Sequence, residues 1–173
     1  MNDTRNVVDK YKGLPIEQIV ADLDSRGSDL EIAIDNVSRD FNMGTIVRSA
    51  NAFGVRKVHI IGSRQWNKRG AMMTDKYLHI DYWPTAGQFM AAIEGKTLVA
   101  VDNIAGSVPL GSVKLPQKSV LLFGAEGPGI SAELAKKADV IVAIEQFGST
   151  RSLNVGVAAG IAMYTWAQQH LLQ

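Results

Sequence analysis

A chain of 173 residues with 46% hydrophobic and 20% charged residues has the make-up of one globular domain with a sizeable core. There is no cysteine, which excludes a disulfide framework and a thiolate metal site. The formal net charge of +1 conceals an asymmetry, because residues 39–76 carry eight basic side chains against two acidic ones, leaving +6 there and −5 elsewhere.

In chain order, residues 1–30 are polar and mixed, an N-terminal extension with a short helix expected over 16–23. Residues 31–173 read as the main domain. The run 31–35 predicts a strand. Residues 42–53 predict a helix with Ile46, Val47, Ala50 and Phe53 along one face, stopped at Gly54, whose residue type tolerates left-handed backbone. A second strand is expected over 57–62. Residues 63–84 read as a polar, irregular connection with a short helix near 72–76, and 86–93 as a helix. A third strand over 97–101 leads into a loop, 103–117. The fourth strand, 119–123, precedes a helix over 131–137. The fifth, 140–144, precedes a loop, 145–151, and a long helix over 152–172. Five short apolar runs alternating with helices predict an α/β fold, a mostly parallel sheet flanked by helices on both faces.

No apolar run approaches the ~20 residues of a membrane span. The opening residues lack the charged-then-apolar layout of a signal peptide, and a cytoplasmic location is the expectation. His59, His79 and His170 lie far apart without metal-ligand spacing, so no metal is assigned.

Three segments carry the chemistry. The first is Asn42-x5-Arg48, leading to Phe53-Gly54. Asn42 and Arg48 are nearly two helical turns apart and are expected on roughly the same side. The second is Gly124-Ala125-Glu126-Gly127-Pro128-Gly129-Ile130, between a strand and a helix. Ligands of open α/β sheets sit beyond the carboxyl ends of strands, and the glycines admit close backbone approach. The spacing is not a dinucleotide fingerprint, which disfavours a nucleotide-dependent oxidoreductase. The third is Ser152-Leu153-Asn154-Val155, opening the last helix. On residue type alone, Glu126 reads as a charge complementing a helix start, Ser152 as a helix cap, and Asn154 as an amide in the first turn facing solvent.

Together, in this order, the three segments resemble the SpoU (TrmH-like) branch of the SPOUT RNA methyltransferases, over residues 31–169. The resemblance implies a C-terminal trefoil knot, whereas chain-passing rules alone predict a plain doubly wound sheet. It implies S-adenosylmethionine as cofactor, held by Gly124, Ile144, Leu153, Gln146 and Ser152. It implies a catalytic group of Arg48, Asn42, Glu126 and Asn154, and a homodimer through the small-residue helix bearing Gly156, Ala158, Ala159, Gly160 and Ala162. The family often has proline where Glu145 stands here. The expected activity is ribose 2′-O-methylation of tRNA or rRNA. A base methyltransferase of the same fold and a non-catalytic RNA-binding module remain the alternatives. Within the basic segment, Arg39, Arg64, Lys68 and Arg69 are candidate phosphate contacts. Trp66, set among them, is expected either to stack on an exposed base or to fill a gap beneath its loop.

Overall fold

The computed structural model describes residues 6–36 and 42–172. Seven strands form one parallel sheet: β1 (Glu31–Asn36), β2 (Lys57–Gly62), β3 (His79–Trp83), β4 (Thr97–Val101), β5 (Val108–Pro109), β6 (Ser119–Phe123) and β7 (Val140–Ala143), in the spatial order β3-β2-β1-β6-β4-β7-β5. The helices are α1 (Ile16–Asp24), α2 (Asn42–Ala52), α3 (Ala86–Ala92), α4 (Ala132–Lys137) and α5 (Val155–His170).

The pleat sorts side chains to two cores. Ile32, Ile34, Leu121 and Phe123 point to one face, where Met43, Ile46 and Val47 of α2 and Ala159, Met163 and Trp166 of α5 cover them. Ala33, Val120 and Leu122 point to the other, beneath Phe89 and Ile93 beside α3 and Leu134 of α4. β6 is buried along its whole length, as a central parallel strand covered on both sides must be.

All five expected strands are present, and two more stand at the sheet edges. β3 lies within residues 63–84, read as irregular, and β5 within the loop 103–117. β3 has only intermediate or exposed residues, and its polar His79 and Asp81 break the apolar run. β5 has two residues and contains Pro109, whose missing N–H is tolerated at an edge. The short helix expected near 72–76 is two 3-10 turns, Arg69–Ala71 and Thr74–Tyr77.

Residues of the N-terminal extension dock on the sheet margin. Tyr11, Ile19 and Tyr77 form a small apolar cluster, and Asp24 accepts from Arg56 at 2.8 Å and pairs with His79 at 3.0 Å. Deeper in, His59 is 1% exposed. Its Nδ1 accepts from Trp83 Nε1 at 2.9 Å, so the ring proton sits on Nε2, directed at Glu31 Oε2 2.9 Å away. Lys96 Nζ donates to the other Glu31 oxygen at 2.5 Å. Burial alone raises the Glu31 carboxyl, but the hydrogen bonds from His59 and Lys96 hold it below its ordinary 4.5. A carboxyl lowered on folding stabilises above its unfolded value and loses that contribution as pH falls through the folded one. Glu31→Gln is therefore expected to lower Tm at pH 7 by about 2–4 °C. Melting curves at falling pH check this, with the gap to the parent chain closing below pH 4.5.

Candidate active site

The carboxyl ends of β4, β6 and β7 open into one cleft. Its walls are Asp102 and Asn103 after β4, residues 124–129 after β6, and residues 144–155 running from β7 into α5. The floor is the turn after β6. Gly129 has φ +70° and donates its N–H to Ala125 O at 2.9 Å. Asp102 Oδ2 accepts from Ile130 N at 2.9 Å, and Asp35 Oδ2 accepts from Ser131 N at 2.8 Å. Two carboxylates from different strands thus hold the turn in place. An ideal Cβ at Gly124 would lie 2.1 Å from the Gly129 carbonyl carbon and 2.3 Å from Ile130 N, so only glycine fits there.

The three motifs meet in a chain of hydrogen bonds. Asn42 Nδ2 donates to Glu126 Oε2 at 2.8 Å, and Asn154 Nδ2 donates to Asn42 Oδ1 at 2.9 Å. Asn154 Oδ1 in turn accepts from Gly156 N at 3.0 Å and Val157 N at 3.3 Å. Each amide is oriented by the next, from the start of α5 to the Glu126 carboxylate, across sequence separations of 112 and 84 residues.

Gly124, Ile144, Gln146, Ser152 and Leu153, expected to hold a cofactor, all line the cleft, together with Glu126 and Asn154. Gln146 Oε1 is buried and lacks a hydrogen-bond partner among the described residues. A buried acceptor left open is costly and suits the amine of a bound heterocycle. The apolar Ile144 and Leu153, the narrow approach over Gly124 and this acceptor fit an adenosine.

Several expectations change. Glu126 is not at a helix start, since α4 begins six residues later, and its carboxylate takes the Asn42 amide instead. The cap of α5 is Asn154, not Ser152, and Asn154, though exposed, lines the cleft and bonds to Asn42. Asn42 and Arg48 do not share a side of α2. Six residues at 3.6 per turn leave them about 120° apart. Asn42 is half-buried and joined to the cleft through Glu126 and Asn154, while Arg48 is exposed on the same face of α2 as Thr45 and Ala52. The small residues of α5 divide likewise. Gly156, Ala159 and Ala162 are buried, with Gly156 close against Thr45 of α2, whereas a Cβ at Gly160 would meet open space.

Of the basic group, Arg64, Lys68 and Arg69 are exposed on the β2–β3 connection, with Lys68 paired to Asp75 at 2.9 Å. Trp66 takes the gap-filling position. Its ring packs against the core, its N–H donates to Tyr82 Oη at 3.3 Å, and the Arg64 guanidinium lies over Tyr82 at 4.7 Å. Arg39 lies outside the described residues. Asp35, Asp102 and Asn103 went unnoticed in the sequence. The only signal for the last two was their place directly after an apolar strand.

The chain is similar to known proteins over most of its length. The pattern of the SpoU rRNA Methylase family matches residues 29–164. An uncharacterized tRNA/rRNA methyltransferase of Mycolicibacterium vanbaalenii is 31% identical over 155 residues, 81% of this chain and 46% of that protein. The tRNA (guanosine(18)-2'-O)-methyltransferase of Escherichia coli K12 is 28% identical over 83% of this chain and 65% of that protein. The chain thus spans roughly half to two thirds of these curated relatives. Among solved structures, the A. aeolicus TrmH/SpoU tRNA modifying enzyme superposes with a TM-score of 0.77 at 28% identity, covering 89% of this chain and 81% of that one. The AdoMet-bound rRNA methyltransferase of Sinorhizobium meliloti gives 0.74 at 26% identity, covering 86% and 60%.

Proposed function

This chain belongs to the SpoU rRNA methylase family, and from that premise we propose that it moves the methyl group of S-adenosylmethionine to a ribose 2′-hydroxyl of tRNA or rRNA. The observation that carries the reading is the Glu126–Asn42–Asn154 chain, which ties all three motifs to the rim of one cleft. Support comes from the relatives named as 2′-O-methyltransferases and from the AdoMet-bound neighbour.

S-adenosylmethionine supplies a methyl made electrophilic by its sulfonium. The protein's tasks are alignment and accommodation of charge on the acceptor oxygen. Gly124 presents bare backbone to the adenosine, Ile144 and Leu153 contact its apolar faces, Gln146 accepts from its amine, and Ser152 lies at the same wall. Asn42, Glu126 and Asn154 hold the acceptor ribose. In-line positioning of this kind supplies up to roughly 7–11 kcal/mol in model reactions. The Arg48 guanidinium stays charged and has no acceptor atom, so its role is to stabilise the developing alkoxide and clamp the adjacent phosphate. Arg64, Lys68, Arg69 and Arg39 grip the RNA backbone, with Trp66 supporting their loop.

The outward direction of Arg48 supports a homodimer. On α5, which packs against α2, Val157, Ile161 and Tyr164 form an exposed apolar stripe, 53%, 38% and 47% accessible. An isologous two-fold contact through this stripe carries Arg48 of each subunit toward the cleft of the other. The knot belongs to the same proposal. Its support is contact between the last helix and the β5–β6 connection: Trp166 and Gln169 of α5 donate to Pro116 O at 3.1 Å and Val113 O at 2.9 Å. Cytoplasmic location is part of this reading too.

Asn42→Asp is expected to lower kcat by about 10²-fold, more than Asn42→Ala. The new carboxylate takes a place 2.8 Å from Glu126 Oε2 and cannot donate to it. Steady-state kinetics with separate calorimetry of cofactor binding checks this, and the affinity should stay within a few-fold of the parent. The reaction itself is tested with methyl-labelled cofactor and RNA from cells lacking the protein. Digestion and mass spectrometry are expected to find the label in a 2′-O-methyl nucleoside. Label on a base contradicts the ribose assignment.

A further inference from the structure

Phe147 is 97% exposed, whereas the next most exposed large apolar side chain among the described residues, Leu172, is 65%. It adds nothing to either core, and burying such a ring elsewhere would favour folding. Its place is defined by its neighbours. Gln146 before it and Ser152 after its loop both line the cleft, and Asn103 Nδ2 donates to Arg151 O at 3.3 Å, pinning the loop's far end to the neighbouring wall after β4. The loop that carries the ring therefore borders the cleft, and Arg151, also exposed, belongs to the same loop.

We propose that Phe147 is the platform on which the base of the acceptor nucleotide stacks. This rests on the RNA-methylation reading. A 2′-hydroxyl can reach a methyl donor inside the cleft only if its nucleotide is splayed from its neighbours, which loses their stacking. An aromatic face at the rim replaces it, and the guanidinium of Arg151 in the same loop suits a flanking phosphate. Trp66 does not serve this purpose, because its ring is packed into the loop and its N–H is engaged with Tyr82. Stacking on an aromatic tolerates any base, so Phe147 sets how firmly the nucleotide is held, and other contacts set which nucleotide is chosen.

The test compares the parent chain with Phe147→Ala and Phe147→Trp. Removing one stacking ring lowers affinity by roughly 5- to 150-fold. Phe147→Ala is expected to lower kcat/KM for RNA from cells lacking the protein by that order, while Kd for S-adenosylmethionine stays within about twofold and Phe147→Trp restores most of the loss. A short single-stranded oligoribonucleotide carrying 2-aminopurine gives an independent readout, since stacking quenches its fluorescence. Quenching by the parent and by Phe147→Trp, and its loss in Phe147→Ala, supports the platform even if no methyl is transferred, in which case only the methylation reading fails. Unchanged kcat/KM and quenching in Phe147→Ala overturn it, as does a loss of dimer mass by light scattering, which would make Phe147 a subunit contact. Weakened cofactor binding with unchanged quenching also overturns it, assigning the ring to the donor site.

Discussion

Arg48→Ala is expected to reduce methyl transfer by about 10²–10³-fold, the effect of removing one group that stabilises an oxyanion, while affinity for S-adenosylmethionine stays unchanged. The side chain is exposed on the outer face of α2, turned about 120° from Asn42. That outward direction is the reason to place it at the partner's cleft in the proposed dimer. If the proposed dimer carries it to the partner's cleft, the loss is complementable. Asn154→Ala removes the amide that caps α5 and orients Asn42, which damages the cleft and spares Arg48. Each variant alone should be nearly inactive. Mixed and reassembled, half of the dimers contain one site with an intact cleft and an intact arginine, and roughly a quarter of parental activity should return. Activity that stays at the level of the single variants would show that Arg48 acts within its own subunit.

Gly124→Ala should weaken cofactor binding more than loss of any single side chain in the cleft. A Cβ there meets backbone, 2.1 Å from the Gly129 carbonyl carbon and 2.3 Å from Ile130 N. That backbone cannot swing away, because Ile130 N is held by Asp102 and Ser131 N by Asp35, itself 3% exposed. Forcing an extra carbon into such a place costs about 1–3 kcal/mol of stability, and displacing the floor by about an ångström costs about 10²-fold in function. Calorimetry with S-adenosylhomocysteine and a melting curve separate the two effects. The expected result is a lower Tm with retained secondary structure and a Kd raised by about 10²-fold. Normal affinity would mean that the turn after β6 does not touch the ligand.

The parts legible in the sequence are those whose physics is local. β1, β2, β4, β6 and β7 read as continuous apolar runs because both faces of a central parallel strand are covered. β3 and β5 escaped because an edge is half solvated: Asp81 and Pro109 break the apolar run without breaking the pairing, Asp81 reaching Lys57 at 3.5 Å instead. Motif order brought Gly124, Glu126 and Asn154 to one cleft, as expected. Which of Ser152 and Asn154 caps α5 was not legible, since both residue types cap helices and they stand two positions apart. Arg48 stands off the side of Asn42 because six residues make about 600° of helix, roughly 120° short of two full turns. The carboxylates of Asp35 and Asp102 were invisible for a different reason. Their partners, Ser131 and Ile130, are 96 and 28 residues away, and nothing short of the folded sheet brings them together.

A crystal structure with S-adenosylhomocysteine bound tests the central claim most directly. The account predicts the adenosine between the turn after β6 and the loop after β7, its amine on Gln146 Oε1, with the partner subunit's Arg48 at the mouth of the cleft, where the acceptor ribose and its phosphate would enter. Electron density for the ligand elsewhere on the molecule, or a cleft still empty at saturating concentration, would contradict it.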